Sequence, residues 1–311
     1  MKCACLVALV FNFLLNSSLL FAVDRPIELA ITIDDLPSTG ADAEGVSRLQ
    51  VIENFIRAFK KHHVEGVVGF VNGRTLVDSP DKNELIKRWI GAGHKLGNHT
   101  YAHSNLSEVS LDQFFEDVEK NGPILMSFGK KNSLPYFRFP YLSEGNTTEK
   151  RDGFRAWLNK KKLVPAQVTV DFHDWRWNSP FGRCAKRNEQ KTIAWLKESY
   201  LSEAKKALEN AKSLAHEFFP KYGIKHVLLL HVGVFDSVMV GDLIEQYSKM
   251  GTEIISLTSA VGDPSFQINT KRVNVNGVPF LAQINEMHGN APKVFDQETL
   301  RVFEKLDKIC L

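Results

Sequence analysis

Two histidines four positions apart, His99 and His103, are the residues in this chain best suited to chemistry. The adjacent acids Asp34 and Asp35 occur earlier in the chain. Imidazole nitrogens at this spacing can point toward one place, and a carboxylate from another element would complete a metal site with open coordination positions. The spacing alone is weakly diagnostic, because such pairs also arise by chance on surfaces. Its meaning depends on where the other polar clusters lie.

Short apolar runs alternate with segments of helical periodicity along most of the chain. The predicted strands are 29–33, 67–71, 94–97, 136–139, 167–170, 227–230 and 254–257. The predicted helices are 46–62, 83–90, 111–128, 148–160, 189–219 and 237–250. Strands that alternate with helices pair in parallel through right-handed crossovers, and continuous apolar runs are typical of strands buried on both faces. The pattern predicts an α/β fold.

Five polar clusters lie where predicted strands end. They are Asp34 with Asp35 after the first strand, His99 to His103 after the third, Arg138 to Tyr141 at the end of the fourth, Asp171 to Trp175 after the fifth and His231 after the sixth. In barrels built from strand and helix units, catalytic groups collect at the carboxyl ends of the strands. Five clusters at one face are much less expected by chance than any one of them, so a functional site is predicted there.

The same clusters resemble the motifs of a known family. The segments TIDD, HTYAH, RFPY, DFHDW and LLLH are similar to the five ordered motifs of the NodB-type polysaccharide deacetylases, carbohydrate esterase family four, and the resemblance covers residues 28–262. It implies a distorted (β/α)7-type barrel of parallel strands that uses one divalent metal to remove N-acetyl groups from hexosamine polymers or O-acetyl groups from xylan. Ile33 and Val232 depart from the usual pattern without changing a chemical group.

The resemblance implies a metal held by Asp35, His99 and His103. Such a metal would polarise the acetamide carbonyl and acidify a bound water. Two imidazoles and one carboxylate suit Zn²⁺, but also Co²⁺, Ni²⁺ or Fe²⁺. We expect zinc.

The resemblance also assigns the proton transfers. Asp34 would be the general base, oriented by Arg138, and His231 would be the general acid that protonates the leaving nitrogen. Asp174 would raise the pKa of His231, so that the imidazole holds a proton near neutral pH. The backbone N–H of Tyr141 would help to stabilise the oxyanion.

The remaining motif residues are expected to contact substrate. Trp175 would offer an apolar wall for the acetyl methyl group or the sugar face, and Pro140 would be a second contact. Purely structural readings also exist: Asp34 and Asp35 as a helix cap or turn pair, and Arg138 as an ion-pair partner.

The N-terminal segment predicts export. Lys2 precedes an apolar run that ends at Ala22, as in a secretory signal peptide, so residues 1–22 are predicted to be removed. A membrane anchor is the alternative, although the run is near the lower length limit for spanning. The mature protein is expected to be periplasmic or secreted, with no membrane span. In an oxidising compartment Cys184 and Cys310 form either a disulfide or two buried thiols.

The rest of the chain divides into two parts. Residues 23–262 are predicted to form the catalytic domain, and residues 263–311 an extension docked on the barrel. The extension is expected to contain a hairpin over 266–284 around an Asn-Gly pair and a closing helix capped by Asp296. It would either wall the substrate groove or cover an open barrel edge. The net charge of +3, without basic stripes between aromatics, argues against a nucleic-acid partner.

The sequence therefore predicts an exported, metal-dependent glycan N-deacetylase that releases acetate, with peptidoglycan as the first candidate substrate. Chitin-like polymers or an exopolysaccharide suit the same site. Hydrolysis of small amides of the allantoinase-like kind is disfavoured, because export is then hard to explain. A non-catalytic glycan-binding module would not need Asp34 or His231.

Overall fold

The computed structural model describes residues 26–40, 43–273, 277–291 and 294–311. The predicted signal peptide lies outside these residues, as does the asparagine of the Asn-Gly pair. Within the described ranges, no helix is both long enough and apolar enough to cross a membrane.

A seven-stranded sheet of parallel pairs forms the centre of the fold. Its strands are β1 (Ile27–Leu36), β2 (Val68–Val71), β3 (Lys95–Asn98), β4 (Ser133–Phe137), β5 (Val164–Pro165), β6 (His226–His231) and β7 (Thr252–Ile254). The order is β5-β4-β3-β2-β1-β6, and β7 pairs with the start of β1. After β5, Val170 forms an isolated parallel bridge with Leu228 of β6, which links the two edges of the curled sheet. The predicted α/β fold, a distorted barrel of parallel strands, is confirmed.

Helices surround the sheet. They are α1 (Arg48–Lys61), α2 (Gly73–Asp78), α3 (Asn83–Gly91), α4 (Leu111–Ser127), α5 (Thr148–Lys161), α6 (Asn178–Lys186), α7 (Gln190–Phe218), α8 (Val234–Lys249), α9 (Leu257–Val261), α10 (Phe280–Met287) and α11 (Gln297–Lys308). The six helices predicted up to residue 250 are present. The sequence missed α2, α6 and α9, because segments of nine residues or fewer show too few turns for a periodic pattern.

Burial of apolar side chains holds these layers together. Phe55 and Phe59 on α1 are fully buried, and α1 packs against α8. The central strands β1 and β6 are buried over most of their lengths. Full burial of one large apolar side chain stabilises a fold by about 1.5–3 kcal/mol, so the positions of the strand ends are set by a rigid core.

The fifth predicted strand, 167–170, is wrong. The strand at this point, β5, contains only Val164 and Pro165, and within 167–170 only Val170 is bridged to a neighbour. The N–H groups of Thr169 and Val170 both point to the carbonyl of Val227. The segment therefore meets β6 at one point instead of running beside it. The seventh predicted strand is also displaced, since helix α9 already begins at its last residue.

The predicted hairpin over 266–284 is also wrong. Its first arm begins with the 3₁₀ turn Pro264–Gln267, and its second arm is part of α10. Gln283 and Asn285 alternate with the apolar Ile284, which resembles a strand pattern in the sequence. All three are buried, because α10 is enclosed and its polar side chains find partners inside: Gln283 accepts a hydrogen bond from Thr270 at 3.1 Å.

The closing helix of the extension is confirmed. The side chain of Asp296 accepts a hydrogen bond from the N–H of Thr299 at 2.7 Å and caps α11. At the other end, Arg183 on α6 donates to two carbonyls near the end of α11. Cys184 and Cys310 form a disulfide with their Cα atoms 5.2 Å apart. The extension is thus fastened to the barrel at the C-terminal end of α11.

We predict that Cys310→Ser lowers the free energy of unfolding by about 2–5 kcal/mol, because the disulfide closes a long loop in the unfolded chain. Chemical denaturation without reductant measures the change. Wild-type protein unfolded in the presence of dithiothreitol should match the variant, and dithiothreitol should not affect the variant. Equal stability of the two oxidised proteins would contradict the prediction.

Candidate active site

An irregularity in β1 places two consecutive acids on the same side of the sheet. Asp34 and Asp35 lie inside β1 and not after it, and the register with β2 gains one residue between Ile33 and Leu36. Asp35 has a φ of 65°, in the left-handed region. Neighbouring side chains in a regular strand point to opposite faces, whereas a bulge changes this direction. The bulge therefore lets both carboxylates reach the site.

The two histidines lie where β3 ends and on the loop that follows it. Asp117 on α4 accepts hydrogen bonds from the backbone N–H of Ala102 at 2.8 Å and of Ser104 at 3.3 Å. His103 itself has a φ of 57°. The acid on α4 thus holds the turn that brings His103 back beside His99, with the ring centroids 4.8 Å apart.

Asp35, His99 and His103 form a group of side chains suited to a metal, with ligand atoms all within 4.8 Å of one another. Oδ1 of Asp35 is 3.5 Å from Nε2 of His99 and 3.4 Å from Nε2 of His103. Nδ1 of His99 donates to the carbonyl of Arg138 at 2.9 Å, a contact that leaves the Nε2 lone pair toward Asp35. Oδ1 of Asp35 is buried without a hydrogen-bond partner in the described chain. A cation would satisfy both Nε2 of His99 and Oδ1 of Asp35, so the residues fit a metal.

Two of the three ligand side chains, His103 and Asp35, are in the protonation states that metals require. Burial lowers the pKa of His103 to about 4. Burial acts to raise the pKa of Asp35, but the neighbouring histidines outweigh it and hold that pKa well below its ordinary value. Neutral imidazole and ionised carboxylate are the metal-binding forms, so neither group needs to lose a proton at neutral pH.

Asp34 is buried and held by Arg138. Nη1 of Arg138 is 3.2 Å from both carboxylate oxygens. Nε of the same guanidinium donates to the carbonyl of Ala166 at 2.8 Å, and Nη2 donates to the hydroxyl of Thr32 at 3.1 Å. Burial raises the pKa of Asp34, while the charge of Arg138 opposes the rise. The result is an oriented carboxylate with a raised proton affinity, as a general base needs.

His231, the last residue of β6, pairs in register with Asp34. Asp174 is fully buried and accepts hydrogen bonds from Nδ1 of His231 at 2.8 Å and from its backbone N–H at 2.6 Å. Burial acts to lower the pKa of His231, but the charge of Asp174 outweighs it and the pKa is raised to about 10. The imidazole is therefore protonated at neutral pH and can donate a proton.

These groups open into one cavity of about 700 Å³. The predicted site residues in its lining are Asp34, Asp35, His99, His103, Tyr141, Trp175 and His231. Arg138 and Asp174 lie behind this wall, in contact with the lining acid and histidine. Trp175 and Tyr141 are 46% and 57% exposed, so both present large surfaces at the mouth. Pro140 is buried inside its 3₁₀ turn, and Phe139 and Tyr141 provide the wall there.

Sequence reasoning missed several residues that support this site. The hydroxyl of Thr32 accepts a hydrogen bond from Nη2 of Arg138. It donates one to the carbonyl of Leu228 at 2.7 Å. Gly277 in the extension lies at the cavity, with a φ of 60° and no room for a Cβ, which would be 2.4 Å from the carbonyl oxygen of Tyr141. The Asn-Gly pair signalled this backbone shape but not its contact with Tyr141. No sequence signal pointed to Asp117.

Residues 23–157 match the family model described as polysaccharide deacetylase. A peptidoglycan-N-acetylglucosamine deacetylase of Bacillus cereus is 28% identical over 149 residues, which cover 48% of this chain and 46% of that protein. The chain thus spans less than half the length of this curated relative.

Two solved structures share the fold. A chitin deacetylase from the fungus Colletotrichum lindemuthianum superimposes with a TM-score of 0.53 at 19% identity, covering 78% of this chain and 91% of that one. A CE4 family pseudoenzyme from Bacillus anthracis gives a TM-score of 0.53 at 15% identity, covering 76% of this chain and 66% of that one. At identities of 15% and 19%, these structures show only that the fold is shared. The family model covers residues 23–157, so the chain is similar to the polysaccharide deacetylases over this part, and the two solved structures share its fold.

Proposed function

We propose that this protein is a metal-dependent hydrolase that removes the acetyl group from N-acetylhexosamine units of a glycan. One observation carries the proposal: a single cavity holds a metal-suited triad, a buried base and a protonated imidazole. Hydrolysis of an acetamide needs a polarised carbonyl, a base for water and an acid for the leaving amine. Asp34 would be the base for water, and His231 would be the acid for the leaving amine.

A divalent metal held by Asp35, His99 and His103 would supply the polarisation of the acetamide carbonyl. Asp34 takes a proton from the attacking water, while Arg138 keeps the carboxylate in place. His231 delivers a proton to the departing nitrogen, which cannot leave as an anion at neutral pH.

The hydrogen bond from His231 Nδ1 to Asp174 determines which atom transfers the proton. Because Nδ1 is engaged at 2.8 Å, Nε2 is the nitrogen that donates. The same bond holds the ring in one orientation, which keeps the donor aligned with the substrate.

The cavity wall suits an acetyl group attached to a sugar. Phe139, Leu229 and Trp175 provide apolar surface for the methyl group and the sugar ring. The backbone N–H of Tyr141 stabilises the oxyanion. Pro140 acts by fixing the turn that carries Tyr141 and not by direct contact with substrate.

We assign peptidoglycan as the first substrate, with chitin-like and other exported glycans as alternatives, and Zn²⁺ as the metal. The assignment rests on the relative named for peptidoglycan N-acetylglucosamine and on the neighbour named for chitin. Export is supported by the predicted signal peptide at 1–22 and by the Cys184–Cys310 disulfide, which persists in oxidising compartments.

We predict that the zinc-loaded protein releases acetate from peptidoglycan or from chitooligosaccharides, assayed side by side. Asp34→Asn should lower kcat by about 10²–10⁴-fold, because it removes the general base. Asp242→Asn, at an exposed acid on α8, is the matched control and should keep wild-type turnover. Acetate from neither glycan would contradict the proposal and favour a glycan-binding module.

We predict that Asp174→Asn moves the alkaline limb of kcat/KM to lower pH. In the wild type the carboxylate keeps His231 protonated through neutral pH, with its pKa raised to about 10. Without that charge, burial lowers the pKa to about 6.5 or below, so activity is lost as pH rises through neutrality. Rates measured across pH with saturating metal test this. An unchanged limb would rule out His231 as the acid.

We predict that His103→Gln weakens zinc binding by more than about 100-fold, since loss of an outer partner alone costs about 10–100-fold. Isothermal titration calorimetry with zinc alone measures this without substrate. His63→Gln, at an exposed histidine away from the cavity, is the control and should bind as the wild type does. Equal affinity in both variants would place the metal elsewhere.

A further inference from the structure

A second buried acid lies behind the pair formed by His231 and Asp174. Asp236, in the first turn of α8, is fully buried, and its carboxyl group lies close enough to that of Asp174 for the two to interact. Two carboxyl groups in such contact cannot both be ionised at low cost, because like charges repel strongly away from water. One of them must hold a proton.

The surroundings of Asp236 are built to fix its position. Nδ2 of Asn178 on α6 donates to Oδ2 at 2.8 Å, and the hydroxyl of Tyr200 on α7 donates to Oδ1 at 3.1 Å. Gly233 leaves the space for this arrangement, since a Cβ there would lie 2.1 Å from Nδ2 of Asn178 and 2.3 Å from Oδ2 of Asp236. The site thus accepts one carboxyl orientation.

The charges around Asp236 decide which acid holds the proton. Facing it are the negative Asp174 from its turn, the positive His231 from β6, and the neutral Asn178 and Tyr200 from α6 and α7. Asp174 is paired directly with His231, so an ionised Asp236 would be a second, uncompensated negative charge. Burial and the charge of Asp174 raise the pKa of Asp236 well above its ordinary value, although the start of a helix favours an anion.

We propose that Asp236 is a positioning residue whose protonated carboxyl group donates a hydrogen bond to Asp174 and so holds Asp174 against His231. Asp174 already accepts both the ring and the backbone N–H of His231. A third donor would restrict rotation of the carboxylate. The role rests on the proposed function, because its effect on turnover acts through the proton donor His231.

Two variants of Asp236 test the positioning role in the acetate-release assay. Asp236→Asn replaces the O–H donor with an N–H donor of the same shape and should keep kcat within a few-fold of wild type. Asp236→Leu is similar in size but has no donor and should lower kcat by about 10–100-fold with little change in KM, as loss of an outer partner does. Tyr247→Phe removes another buried hydrogen bond of α8, to the carbonyl of Ala204, and controls for general loosening.

A second measurement tests the proton itself and needs no substrate. If Asp236 is protonated in the folded protein, the unfolded chain releases that proton above the ordinary aspartate pKa, and the wild type loses stability as pH rises. Relative to Asp236→Asn, its unfolding equilibrium constant should increase by about tenfold per pH unit between about pH 5 and pH 8. The comparison cancels the other titrating groups, which the two proteins share.

The outcomes separate the proposal from its alternatives. The positioning role would be overturned if Asp236→Asn lost as much activity as Asp236→Leu. It would also be overturned if Tyr247→Phe lost as much activity as Asp236→Leu. A stability difference that is flat with pH would show an ionised Asp236 and also overturn it. If the wild type releases no acetate from either glycan, the proposed function fails, and the stability comparison still decides whether Asp236 carries the proton. If Asp236→Leu does not fold, the Asn variant decides both points.

Discussion

The left-handed backbone of Asp35 is the constraint on which the rest of the site depends. A regular strand would send Asp34 and Asp35 to opposite faces, and the base would then be separated from the metal-suited triad. The extra residue in β1 brings both carboxylates to one cavity. Regular pairing of β1 with β6 up to Asp34 then places that acid beside His231. One local distortion in an otherwise rigid sheet therefore sets the geometry of both proposed proton transfers.

Charge balance explains why so many ionisable groups remain buried in this small volume. Two of the acids that the site uses have a charged partner of their own: Arg138 for Asp34 and His231 for Asp174. Asp35 lies beside His99 and His103, where a bound cation would supply the balancing charge. A buried charge without a partner is costly, whereas a paired and hydrogen-bonded one is tolerated. Among the residues that the structure describes, no cation is paired with Asp236, and in our proposal it follows the same rule by staying neutral.

The residues of the candidate site were easier to find in the sequence than the groups that surround them. The five motifs and the alternation of strands and helices suffice for the fold and for the metal-suited triad, because residue type and strand position determine both. The segment 167–170 and the hairpin were predicted wrongly, since enclosure of α10 and a single bridge at Val170 are tertiary effects. Gly277 and Asp236 depend on contacts between distant segments, and a local pattern does not encode them.

The supporting groups also bear on whether this fold catalyses a reaction. A solved neighbour with the same fold is named a pseudoenzyme, so the fold by itself does not decide activity. A chain that only bound glycan would gain nothing from a buried carboxylate locked by Arg138, or from an imidazole kept charged by a buried acid. Both arrangements desolvate ionised groups and lower stability unless their pairing offsets the cost. Their presence together at one cavity supports the proposed proton transfers, in which Asp236 would keep the second pair aligned.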